Sequence, residues 1–194
     1  MSEFRPRTTP PDPSDLRWIS NKAQYGGYNR CIVINDATGL TIHNCTGYVH
    51  GRWMEISGTH ECPLSTSNAA NYFGYTADGM PRGSEPQLGA VICFSTGQGG
   101  QPGHVAIVEE IVDADTIITS DSNYGAEYFV MRTRTRAMGW NWWAGSDLVF
   151  QGFIYNPNQK NYNILLLAAA ARKRRKEEEE NGKTVRIQQY TGAL

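Results

Sequence analysis

The period of hydrophobic and polar positions changes part-way along the chain. Between Cys45 and Ile56, the apolar residues Val49, Trp53 and Ile56 recur at three- and four-residue spacing, which predicts a helix. Gly47 and Gly51 lie four apart on it. Both cost helix propensity, so they are expected to let the helix approach a sheet closely. A second short helix is expected over 67–73, with Gly74 ending it. After Pro86 the pattern turns to strands, over 90–95, 105–112, 116–122, 128–135 and 150–155. These runs are rich in Val, Ile, Thr and aromatic residues, and turn residues separate them. Asp113-Ala114-Asp115 should join two of them as a tight hairpin. Helices first and an antiparallel sheet after is an α+β layout, with helices packed on the sheet.

Three segments are expected: an N-terminal arm over 1–27, a body over 28–157 and a charged helical tail over 158–194. The tail reads as a helix over about 162–180, then one short strand over 184–190. Its basic residues, Arg172 to Lys176, precede its acidic ones, Glu177 to Glu180. Acidic residues at a helix C-terminus oppose the macrodipole, and Lys173 before Glu177 is the weaker order for an i,i+4 pair. Such a helix gains little from its own charges and calls for a partner surface. The longest apolar run, 164–171, is far short of the roughly 20 residues that span a bilayer. The start carries Arg5, Arg7 and a proline run, with no apolar centre, so no signal peptide is expected. The net charge of −1 gives no basic excess for nucleic acid.

Four cysteines stand at 31, 45, 62 and 93 with no CxxC pair, which points away from a zinc site or a disulfide scaffold. Cys45 falls where the first helix starts, so its sulfur should face unpaired backbone N–H groups that favour a thiolate and hold an oxyanion. Cys31 and Cys93 lie in strand-like runs and read as packing residues, and Cys62 precedes Pro63 in a loop. Of the four histidines, His104 opens a strand after Gly103 and is the preferred base. His43 is too near Cys45 in sequence, His50 lies on another side of the helix and His60 is in a polar loop. A third group should orient the imidazole. Asp121 and Asn123, two apart at the end of the next strand, share a side, and either could accept from His104. An Asx turn before Gly125 is the competing reading of that pair.

Three segments together resemble the CHAP family, the cysteine/histidine-dependent amidohydrolases and peptidases. They are Asn44-Cys45-Thr46-Gly47-Tyr48-Val49-His50-Gly51-Arg52, then Pro86 to Ile92 with Gly103-His104-Val105-Ala106-Ile107-Val108-Glu109, then Ser120-Asp121-Ser122-Asn123-Tyr124-Gly125. The resemblance spans roughly 28–157, and the order and spacing of the segments carry it. It implies a papain-like α+β fold and a Cys45–His104 dyad oriented by Asn123 or Asp121. Asn44 precedes the nucleophile and is carried over as an oxyanion donor. The implied activity is cleavage of an amide bond in bacterial peptidoglycan, by an N-acetylmuramoyl-L-alanine amidase or an endopeptidase, without a cofactor. Some relatives bind calcium just before the cysteine. Here that stretch, Asn35-Asp36-Ala37-Thr38-Gly39-Leu40, has one carboxylate, so no structural calcium is expected. Tyr48, Trp53, Tyr124 and the tryptophans at 140, 142 and 143 are candidates to line the groove, with core packing as their other reading. The expected setting is a phage virion-associated lysin that docks on tail proteins through 158–194. An endolysin held in the host cytoplasm and an inactive structural tail protein are the alternatives.

Overall fold

A computed structural model describes residues 4–31, 33–35, 40–42, 44–97, 102–123 and 127–157, with backbone only for 33–35 and 40–42. The chain divides into two units, Met1–Lys160 and Asn161–Leu194. The helix and strand expected in the tail lie outside the described residues, as does Asp36 of the loop before Cys45.

The helix expected after residue 44 is α1, Cys45–Ser57. The Asn44 side chain caps its start by accepting from the Gly47 N–H at 2.8 Å, and Gly58 ends it at φ 65°. From Thr46 to Met54 every residue is buried, so α1 is enclosed on all sides rather than amphipathic. Its glycines serve a different contact from the one expected. A Cβ at Gly51 would lie 2.3 Å from the Trp18 ring, and one at Gly47 would lie 2.9 Å from the Cys31 carbonyl oxygen. Both therefore admit the N-terminal segment rather than the sheet. Trp18 is fully buried in the same core as Tyr48, Val49 and Met54.

Two short strands, β1 (Val33–Asn35) and β2 (Leu40–Ile42), pair antiparallel ahead of α1. Six more form one antiparallel sheet: β3 (Arg82–Gly83), β4 (Val91–Thr96), β5 (His104–Ile111), β6 (Thr116–Asp121), β7 (Val130–Thr135) and β8 (Leu148–Ile154). Their order is β3-β8-β4-β5-β6-β7. Alternation along β4 and β5 divides the core. Val91, Cys93, Val105 and Ile107 pack towards α1, while Ile92, Phe94, Ala106 and Val108 join Trp140 and Phe153 on the other face. The pairing of β5 with β6 shifts between Val108 and Glu110, leaving Glu109 as an extra residue. This bulge re-aims the strand, so Val108 and Ile111, three apart, pack on one cluster while Glu109 is turned to α1.

The α+β architecture is the one expected, with two local corrections. The second helix is only a 3₁₀ turn, Ala69–Asn71. The strand expected around Cys31 starts at Val33, because the Cys31 N–H binds the Asn29 side chain at 2.9 Å in a local turn.

Candidate active site

Antiparallel pairing of β5 and β6 sets the start of one beside the end of the other, and this brings His104 to Asp121. Gly103 fixes the entry into β5. Its φ is 69°, and a Cβ there would lie 2.4 Å from the Phe94 carbonyl oxygen and 2.7 Å from the Ala70 nitrogen. Only glycine fits both the space and the left-handed backbone.

His104 Nε2 forms a buried hydrogen bond with Asp121 Oδ2. The imidazole also hydrogen-bonds the thiol of Cys45, the first residue of α1. Burial is the largest single influence on His104 and pulls its pKa down. The hydrogen bonds and charges of Asp121 and Cys45 together outweigh it and raise the pKa from 6.5 to about 8. Burial pushes the Asp121 carboxyl up, but His104, Arg134 and Arg132 hold it below its ordinary value. Cys45 is partly exposed, whereas His104 and Asp121 are buried.

Of the two candidates to orient the imidazole, the structure brings Asp121 to His104. The Asn123 side chain instead donates to the Glu127 carboxylate, and its N–H donates to the Glu127 carbonyl at 2.8 Å. Asn44 lies beside Cys45, with its side-chain oxygen accepting from Gly47 N–H and from the Thr46 hydroxyl at 2.7 Å. That cap leaves the amide NH₂ as the group able to donate to an oxyanion.

The other cysteines sit in surroundings that keep them as thiols. Burial is the first cause in each case: it raises Cys31 to about 11 and pushes Cys62 and Cys93 up as well. Among the histidines, His50 is buried and binds the Ser65 carbonyl at 2.9 Å, and His60 stacks on Tyr28 at 4.3 Å.

Sequence reasoning missed the basic shell of the site. Arg132 Nε lies 3.4 Å from Asp121 Oδ1, and Arg134 Nη2 lies 3.4 Å from Asp121 Oδ2. Trp142 is held at 4.6 Å and 4.8 Å from the two guanidinium carbons and 5.5 Å from the His104 ring. Two arginines at i and i+2 of one strand were the available signal, since they share a face and a buried face demands a carboxylate. The other aromatics placed in the groove divide. Tyr48 is core, with its hydroxyl on Ser120 at 2.8 Å, Trp140 packs with Phe150 and Phe153, and Trp143 is exposed. Tyr124 lies outside the described residues.

Residues 35–123 match the family model described as CHAP domain. The matched span includes Asn44, Cys45, His104, Asp121 and Asn123, so the hydrogen-bonded array lies within the matched segment. Comparison with curated proteins gives no match. Among solved structures, the chain is similar to an N-acetylmuramoyl-L-alanine amidase from Staphylococcus aureus, at 22% identity and a TM-score of 0.44. That alignment covers 72% of this chain and 33% of the other. Among the described residues, no helix is long and apolar enough to cross a membrane.

Behind this site lies a second buried polar system. Arg52 of α1 binds Glu109 through two hydrogen bonds, of 2.9 Å and 2.8 Å. Glu109 also accepts from Ser120 at 2.6 Å and from the Arg7 N–H at 2.9 Å. Ser120 and Asp121 are neighbours on β6 and point to opposite faces, so the same strand serves both systems.

Proposed function

We propose that the chain is a peptidoglycan hydrolase that cleaves an amide bond of the cell-wall peptide with Cys45 as nucleophile. The observation that carries this reading is the Cys45–His104–Asp121 hydrogen-bonded array at the start of α1. His104 takes the Cys45 proton while Sγ forms a bond to the amide carbonyl carbon. The Cys45 N–H and the Asn44 amide face the oxyanion that develops. The C–N bond then breaks, His104 returns its proton to the leaving amine, and water hydrolyses the thioester. Asp121 accepts from Nε2, which leaves Nδ1 as the ring nitrogen that exchanges the proton with the thiol.

The bond is either the one between muramic acid and L-alanine or one within the peptide. Mass and amino-terminal analysis of fragments released from Gram-positive walls separates them. New L-alanine termini identify an amidase, and other new amines an endopeptidase. Intact walls after exposure to the active protein would end the hydrolase reading. We place the enzyme on a phage virion, docked on tail proteins through residues 158–194. The support is the tail's charge order, which leaves an isolated helix poorly stabilised. Detection of the protein in purified virions tests this setting. Its presence only in lysing cells would favour an endolysin.

A further inference from the structure

A cleft of about 900 Å³ opens beside the C-terminal half of α1, and neither Cys45, His104 nor Asp121 lines it. His50, Trp53 and Ser57 reach it from one face of the helix. His50 is fully buried. Its Nε2 meets the Ser65 carbonyl oxygen at 2.9 Å, and a carbonyl only accepts, so Nε2 carries the proton. Nδ1 is then a lone-pair acceptor, and it has no hydrogen-bond partner among the described residues. Burial keeps this ring neutral, with its pKa lowered to about 4, so Nδ1 remains an acceptor at neutral pH. Nδ1 is itself buried, so a group from the cleft reaches it only when the lining side chains shift, and it must then offer an O–H or N–H.

The remaining walls narrow the chemistry. Trp53 is in the lining, and the half-exposed Tyr28 ring is stacked with His60 at an interplanar angle of 32°. Arg30 and Glu61, both exposed, stand at the same cleft. Aromatic faces beside a few fixed polar groups suit a ring with apolar C–H faces and hydroxyl or amide donors on its edge. Arg30 adds a place for a carboxylate.

We propose that this cleft is a glycan subsite, which holds the N-acetylated, carboxylate-bearing sugar strand of the wall while the dyad acts on the attached peptide. The choice of the wall glycan rests on the hydrolase reading. His50 and Ser57 are five and twelve residues along α1 from Cys45, so the cleft lies roughly 8–18 Å from the nucleophile along the helix axis. A polymer spans that distance, whereas a single small amide does not.

The test uses the full chain carrying Cys45→Ala, so that binding is read without turnover. It is titrated with soluble N-acetylglucosamine oligomers, with peptide-free wall glycan and with the free stem peptide, while the ¹⁵N signal of His50 Nδ1 is followed. Both saccharides should bind and shift that signal. Tyr28→Ala and His60→Ala, which alter exposed rings, should each weaken binding about tenfold, and Val149→Ala on a distant strand should not. An Nδ1 signal unmoved at saturating saccharide means that water alone occupies the site, and it overturns the proposal. So does affinity unchanged in Tyr28→Ala, or peptide binding in place of saccharide. Saccharide binding without wall hydrolysis would sink the hydrolase reading and leave the subsite standing. Hydrolysis without saccharide binding would sink the subsite alone.

Discussion

The His104 imidazole and the Asp121 carboxylate are hydrogen-bonded where β5 begins and β6 ends, and two arginines back the carboxylate from behind. Asp121 fixes which ring nitrogen faces the thiol. Asp121→Asn should therefore lower the wall-hydrolysis rate by about 10² or more, the range expected when a general base loses its orientation. Asn123→Ala, whose side chain binds Glu127, should change the rate far less. Equal losses in the two variants would move the orienting role to Asn123.

The raised His104 pKa makes a statement about stability as well as rate. The folded protein holds this proton to about pH 8 and the unfolded chain only to about 6.5. The contribution is therefore complete below pH 6.5 and is lost as pH rises through 8. It is on the order of 2 kcal/mol at 1.36 kcal/mol per unit. Asp121 runs the other way: its lowered pKa adds stability that is present above 3.8 and lost as pH falls. Denaturant unfolding from pH 6 to 9 should show the first loss in the wild type and a flatter curve in Asp121→Asn. The hydrolysis rate should rise through about pH 8, as His104 becomes the neutral imidazole that can take the Cys45 proton.

The second polar system should dominate stability. Glu109 is fully buried, and Arg52, Ser120 and the Arg7 N–H all donate to it. Removing one partner leaves an uncompensated charge, so Arg52→Met should cost about 3–5 kcal/mol. Pairing it with Glu109→Leu should restore part of that loss. Equilibrium unfolding of the single and double variants checks this.

Gly51→Ala and Gly103→Ala should differ in kind. The first drives a methyl to 2.3 Å from the Trp18 ring and should cost about 1–3 kcal/mol through overpacking, with the dyad intact. The second meets backbone atoms at 2.4 Å and 2.7 Å with φ at 69°. It should displace His104 and reduce hydrolysis as well as stability. Melting curves beside rates separate the two.

Much of this was legible in the sequence. Period-2 runs gave the five long strands to within two residues at each end, and the three- and four-residue spacing of Val49, Trp53 and Ile56 after Cys45 gave α1. What escaped depends on tertiary partners. That Gly47 and Gly51 face Cys31 and Trp18 cannot be read from spacing, because the N-terminal segment carries no period of its own. The choice of Asp121 over Asn123 follows from the register of β5 on β6, and alternation alone puts both on one side. Arg132 and Arg134 looked like ordinary strand residues until β7 set them against that carboxylate.

Cys45 as the nucleophile of a wall hydrolase is tested by the clearing of purified Gram-positive walls by the wild type beside Cys45→Ala. The wild type should clear the walls and the variant should not, with the variant still folded by circular dichroism. Clearing that persists in Cys45→Ala would contradict that role.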